Sequence, residues 1–162
     1  MSADKAAIER DLREAWEDIR ALVGSLSERE LTEAGVVEEW SIKDLLGHMA
    51  FWAEKAAADL RSLAGGEQER IESPSSLEEL NDWNARESTS RSGKSLAELR
   101  TEWEKSYADA ADMLRATDAS LLGTEVRGTS QLNRFLGDTT LHYNEHAEQI
   151  RAWQRQLETT EA

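Results

Sequence analysis

The sequence predicts an all-α fold, a four-helix bundle of the up-down type with a long connection between its second and third helices. Three observations lead there. Apolar residues recur at helical spacing in four separate stretches, and no run of any length alternates as a strand does. Capping signals stand in front of two of those stretches. Punctuation is sparse, with one proline and nine glycines in 162 residues. A single domain over residues 1–162 accounts for that length.

The first helix is expected from about Asp4 to Val23. Ile8, Leu12, Ala15, Trp16, Ile19, Leu22 and Val23 form its stripe, and Gly24 supplies a stop. Ser25 to Trp40 reads as a connection, with Leu31, Val36 and Val37 plugging the core. Ser41 opens the second helix in capping-box form, Ser41-Ile-Lys-Asp44, with Asp in place of the usual Glu. Its stripe runs through Ile42, Leu45, Met49, Trp52, Ala53 and Ala56 towards Leu63, and Gly65-Gly66 ends it.

The polar stretch Glu67 to Ser76, which holds Pro74, leads to a short helix from Leu77 to about Glu87. Arg86 to Lys94, rich in Ser, Thr and Gly, reads as loop. A second capping box, Ser95-Leu-Ala-Glu98, starts the third long helix, which carries Leu96, Leu99, Trp103, Tyr107, Ala110 and Leu114. Thr117 to Gly128 is a connector. The last helix is expected from about Gln131 to Leu157, with Leu132, Phe135, Leu136, Thr139, His142, Tyr143, His146, Ile150 and Trp153 on one side.

Composition removes several function classes. The formal net charge is −14 with no cluster of Lys and Arg, which argues against nucleic acid and against anionic membrane surfaces as partners. No cysteine is present, so disulfides, Cys-ligated zinc and a cysteine nucleophile are excluded, and any thiol chemistry needs a thiol from outside. Leu45 to Ala53, the longest uncharged apolar stretch, is too short to span a bilayer. Met1 to Arg10 is charged throughout and has no signal-peptide pattern, so a cytoplasmic location is the expectation. The expected partner is a small-molecule substrate. A homodimer is open to a bundle with an exposed stripe, but the sequence does not identify that stripe.

The chain has only three histidines, and all three fall on the inward stripes of helices. His142 and His146 are four apart, which places their Cβ atoms about 5–6 Å apart on one face. His48 lies one turn after Leu45 and one turn before Trp52. A single inward histidine reads as an ordinary hydrogen-bonded core residue. Three buried imidazoles satisfy one another poorly unless a cation sits between them. Neutral imidazole suits zinc, nickel, copper or iron, with zinc or nickel expected first. Three protein ligands leave a coordination position open, which is the catalytic arrangement.

His142-Tyr-Asn-Glu145-His146 also spells the inverted zinc-protease pattern, with Glu145 as general base. Sixteen residues follow His146, which leaves little room for a remote acidic ligand, so a protease is not expected. Glu145 reads either as a solvated helix-face carboxylate or as a base flanking the site. Tyr143 and Tyr107 read as core aromatics or as proton-transfer groups. Asp44 reads as a helix cap or as the acceptor of the second ring N–H of His48. Trp52 reads as core packing or as the wall of a ligand pocket.

The run Glu39-Trp40-Ser41-Ile42-Lys43-Asp44-Leu45-Leu46-Gly47-His48-Met49-Ala50-Phe51-Trp52 resembles the W-S-x-K-D-x-x-x-H segment of the DinB-like superfamily, and most nearly that of its ClbS/DfsB branch. His142-Tyr143-Asn144-Glu145-His146 with Ile150-Arg151-Ala152-Trp153 resembles that branch's H-Y-x-x-H ending. Leu80-Asn81-Asp82-Trp83-Asn84 is similar to its middle segment. The resemblance implies a four-helix bundle whose second helix supplies one histidine and whose fourth supplies two, at the positions of His48, His142 and His146. It also implies a metal-dependent S-transferase or related detoxifying enzyme that uses a low-molecular-weight thiol. Two alternatives stay open: a hydrolase acting on a reactive small molecule, and a non-catalytic module that binds a metal or a small molecule.

Overall fold

A computed structural model describes residues 4–161. Helix α1 runs Lys5–Gly24, and its N-cap Asp4 accepts from the Ala7 amide at 3.1 Å. Leu12, Ala15, Trp16, Ile19 and Val23 bury the expected stripe. The following connection contains a short helix that the sequence reading treats as loop, α2 at Glu28–Thr32. A complete capping box between Ser27 and Glu30 starts it, and Leu31 anchors it in the core.

Helix α3, Ile42–Ala64, is the central helix. It buries a broad face that includes Ile42, Leu46, Met49, Ala50, Ala57 and Leu60 against α4, α5, α6 and α7, and leaves Asp44, Glu54, Ala58 and Arg61 exposed on the remaining side. Gly47 shows how close that packing is. A Cβ there would lie 3.0 Å from Cδ of Arg91 and 3.3 Å from Cδ2 of Leu99.

Helix α4, Leu77–Arg91, extends four residues beyond the expected end. Its last turn holds because Arg91 pairs with Glu87 at 2.6 Å, Glu54 at 3.2 Å and Glu102 at 3.3 Å, tying α4 to α3 and α5. No residue of α4 is fully buried, so it lies over the bundle as a cover. Helix α5, Leu96–Ala116, starts at the expected capping box of Ser95 and Glu98.

The connector after α5 holds a small hairpin, β1 (Glu125–Val126) paired with β2 (Thr129–Ser130). Arg127 and Gly128 both have positive φ, 53° and 78°, as a two-residue type I′ turn requires. The last expected helix is two helices, α6 at Gln131–Asp138 and α7 at Thr140–Glu161. Thr139 breaks the run at φ −129°, ψ −89°, and its hydroxyl bonds back to the Phe135 carbonyl at 2.6 Å.

The long helices α1, α3, α5 and α6–α7 form the four-helix bundle, with the long connection between the second and third as expected. Lys5 donates to the carbonyls at the end of α5, and Arg20 reaches Glu104 at 3.6 Å, so α1 and α5 run antiparallel. Gly47 and Leu99 meet near the starts of their helices, so α3 and α5 run in the same direction. The α4 crossover makes that possible by returning the chain to the other end of the bundle. Among the described residues, no helix is long and apolar enough to cross a membrane.

Candidate metal centre and its cavity

Helix α3 directs His48 inward from between Leu45 and Trp52, and the edge of Trp40 packs on its ring at 4.9 Å and 64°. Trp40 is placed by a tight turn in which its amide donates to the Val37 carbonyl at 2.9 Å and its carbonyl accepts from the Val36 amide at 2.9 Å. Helix α7 directs His142 and His146 to the same point from its first two turns. Nε2 of His142 lies 2.9 Å from Nε2 of His48 and 2.8 Å from Nε2 of His146. The three ligand atoms all lie within 4.8 Å of one another.

These contacts cannot both be hydrogen bonds. Nδ1 of His146 lies 2.6 Å from Oε1 of Gln149, an oxygen that only accepts, so the His146 proton sits on Nδ1 and its Nε2 is a bare lone pair. Nε2 of His142 then either carries a proton and donates to one neighbour, or lacks one and accepts from one. One of its two short contacts stays unsatisfied in any neutral arrangement.

Adding protons is disfavoured. Burial, reinforced by the charge of His146, pushes His48 down from 6.5 to about 3. Burial and the other two rings hold His142 well below its ordinary value, against the opposing pull of the Asp138 carbonyl one turn back. Burial also lowers His146, although Gln149 and Glu145 oppose it. All three rings are therefore neutral at pH 7, the form that binds metals. Converging neutral nitrogens with an unsatisfied lone pair fit a divalent cation. With bonds of about 2.0–2.1 Å, tetrahedral zinc separates two nitrogens by about 3.3 Å, a few tenths of an ångström more than they show here.

The rings form one end of a cavity of about 920 Å³ between α3, α4 and the α6–α7 segment. Trp52 walls it. Its indole Nε1 donates to Oδ1 of Asn84 at 2.9 Å, and Trp83 stacks on it at 6.1 Å and 17°. Glu145 is exposed at the rim. Lys55, Arg134 and Asp138 line the other end. Lys55 pairs with Asp59 at 2.6 Å, both side chains about nine-tenths buried. Burial, partly offset by Lys55, pushes the Asp138 carboxyl up to about 7. Oδ2 of Asp138 and Nε of Arg134 are inaccessible and unpartnered.

Of the site residues read from the sequence, the structure brings His48, His142, His146, Glu145 and Trp52 to this cavity. It does not bring Tyr143, a correction to its expected place in the site. Tyr143 is 0% exposed and packs against Trp16 at 5.6 Å and Tyr107 at 6.5 Å, with its hydroxyl unpartnered. Successive helical positions diverge by about 100°, so a neighbour of inward-facing His142 turns towards α1 instead. Tyr107 stacks flat on Trp16 at 4.4 Å and is likewise remote from the histidines. Asp44 takes the capping role, accepting from the Ser41 amide and hydroxyl at 2.9 Å each. Gln149, Lys55, Arg134 and Asp138 escaped the sequence reading. Gln149 carried a readable signal, since it stands three residues after His146 on the same face.

The family profile described as the mycothiol maleylpyruvate isomerase N-terminal domain matches residues 12–147. No curated protein sequence matches at a significant level. Solved structures with the same fold include an uncharacterised Escherichia coli UTI89 protein, at TM-score 0.81 and 14% identity, covering 95% of this chain and 94% of that one. Another, described as sibling lethal factor precursor DfsB, has a TM-score of 0.79 and 10% identity and covers 97% of this chain and 98% of its own. A Streptococcus pneumoniae protein follows at 0.74 and 10%, covering 96% and 92%.

Proposed function

The chain belongs to the mycothiol maleylpyruvate isomerase N-terminal domain family, within the DinB-like superfamily, and from that premise we propose that it is a metal-dependent enzyme joining a low-molecular-weight thiol to an electrophilic small molecule. The observation that carries this reading is the meeting of three neutral Nε2 atoms at the end of a 920 Å³ cavity. That volume lies in the upper range of small-molecule sites and has room for two small reactants. A divalent cation, zinc or nickel first, supplies the acidity that keeps a bound thiol ionised near pH 7.

The chain's own residues do the rest. His48, His142 and His146 would hold the cation through Nε2. The Glu145 carboxylate, which lines the cavity rim, is the group assigned in this proposal to accept the thiol proton on a side-chain oxygen. Trp52, fixed by its bond to Asn84, gives the electrophile a flat apolar wall and keeps water from it. With no cysteine in the chain, the sulfur nucleophile has to arrive as a ligand.

The test is conjugation of 1-chloro-2,4-dinitrobenzene by the zinc- or nickel-loaded chain with mycothiol, bacillithiol, glutathione or cysteine in turn. Metal-dependent turnover that His142→Ala abolishes supports the proposal. No turnover with any of the four thiols sinks it. A panel of reactive electrophiles supplied without thiol probes hydrolysis at the same centre, and metal-dependent product there assigns the cavity to a hydrolase.

A further inference from the structure

We infer that Gln149 is a positioning residue of the metal centre, one that fixes the tautomer of His146 so that Nε2 faces the cluster unprotonated. The inference rests on the metal reading, but its central claim is a proton position that exists without metal. A neutral imidazole has one N–H, and whichever ring nitrogen lacks it is the ligand. Left free, His146 could carry its proton on Nε2, pointing N–H into the site and blocking coordination.

The bond between Nδ1 of His146 and Oε1 of Gln149, at 2.6 Å, removes that freedom, because an amide oxygen accepts and never donates. Ligand histidines commonly have their second nitrogen held in this way. The register follows from helix geometry. Gln149 lies three residues after His146 and lines the same cavity, so its side chain is already on the ring's face of α7. The other two rings lack such a partner. Nδ1 of His142 is inaccessible and makes no well-formed hydrogen bond, with the Asp138 carbonyl as the group that favours its proton. Among the described residues, the polar ring contact of His48 is the one to His142, and its orientation comes from packing against Trp40. The tautomer of one ring is thus set by a side chain that mutation can change, while those of the others depend on backbone and packing.

Three forms of the full chain test this: wild type, Gln149→Leu and Gln149→Glu. Leucine removes the acceptor, whereas a carboxylate keeps one. Nitrogen chemical shifts of the metal-free proteins, with His146 assigned by comparison with His146→Ala, report the tautomer. A competitive chelator titration reports zinc affinity. The expected result is an Nδ1–H tautomer at His146 in wild type and Gln149→Glu, lost in Gln149→Leu. Zinc affinity falls roughly ten- to hundred-fold in Gln149→Leu and is kept in Gln149→Glu. Thermal unfolding of each variant identifies any that fails to fold, and for such a variant the wild-type tautomer decides alone. An Nε2–H tautomer in wild type, or an unchanged tautomer in folded Gln149→Leu, overturns the inference. If wild type binds neither zinc nor nickel, the metal reading fails, and the tautomer measurement still decides the claim for Gln149.

Discussion

The two ends of the cavity solve the cost of burying polar groups in opposite ways. At the charged end, unlike groups are placed together: Lys55 pairs with Asp59 at 2.6 Å, and Arg134 donates to the Val126 carbonyl at 2.8 Å. Those groups are satisfied by the chain itself, while Oδ2 of Asp138 and Nε of Arg134 stay unpartnered. At the histidine end, three like groups face one another with no acid or carbonyl among their converging nitrogens. An arrangement that the chain leaves unsatisfied, but holds in register from two helices, is one that a partner from outside could satisfy. The charged end pairs most of its own groups, and the histidine end brings together three nitrogens that could hold a metal ion.

The largest expected effect tests that contrast directly. His142→Ala removes the nitrogen common to both short contacts and should weaken zinc binding more than 100-fold, beyond the loss typical of an outer hydrogen-bond partner, as measured by chelator competition. The same substitution should leave the fold intact, since it relieves an unsatisfied cluster. A large loss of stability in His142→Ala with zinc affinity unchanged would reverse the roles of the two ends.

Next comes the charged end. Asp59→Ala strands the Lys55 ammonium in a site where its side chain is 11% exposed, and should cost about 3 kcal/mol in denaturant unfolding. Replacing both partners with apolar residues of similar size, Lys55→Met with Asp59→Leu, should recover most of that loss, because it is the unpaired charge that is expensive.

Acid should separate the ends further. His48, His142 and His146 all have lowered proton affinities in the folded state, so as pH falls below 6.5 the unfolded chain takes up protons the native one refuses. Stability of the metal-free protein therefore falls with falling pH, by about 1.4 kcal/mol per unit from His48 down to about pH 3, and His142 and His146 add to the fall with the same sign. Asp138 acts with the opposite sign. Its carboxyl is raised to about 7, so between pH 7 and 4 the native state holds the extra proton and gains stability. Thermal unfolding from pH 7 to pH 4.5 should show a net decline, and Asp138→Asn should make it steeper.

The smallest effect concerns the wall between the ends. Trp52→Phe keeps an aromatic wall but trims the buried indole and removes its hydrogen bond to Asn84, and should cost about 2 kcal/mol. Zinc affinity should stay at the wild-type value, which marks Trp52 as a wall and not a ligand.

Much of this could be read before folding. The capping boxes at Ser41–Asp44 and Ser95–Glu98 form as their spacing predicts, and the inward stripes of α1, α3 and α5 are buried. Local chemistry also explains the omissions. The Ser27–Glu30 capping box was present in the sequence, but α2 is only five residues long. The end of α4 is rich in Ser and Thr, so it resembles a loop until Arg91 finds acids on two other helices. Nothing local marks the break at Thr139, three residues before His142.

The sequence by itself determined that three imidazoles lie on inward helical faces, two of them one turn apart, because side-chain period is a property of near neighbours along the chain. It also determined that no internal thiol exists. Only the tertiary structure decided that the level of His48 on α3 meets the level of His142 and His146 on α7. It alone decided that Tyr143 turns into the core, and that Lys55 and Asp138 share the histidines' cavity. Those pairings are set by how large side chains such as Trp16, Trp40 and Trp52 fill space between segments distant in sequence, and close packing of that kind exists only once the bundle has closed.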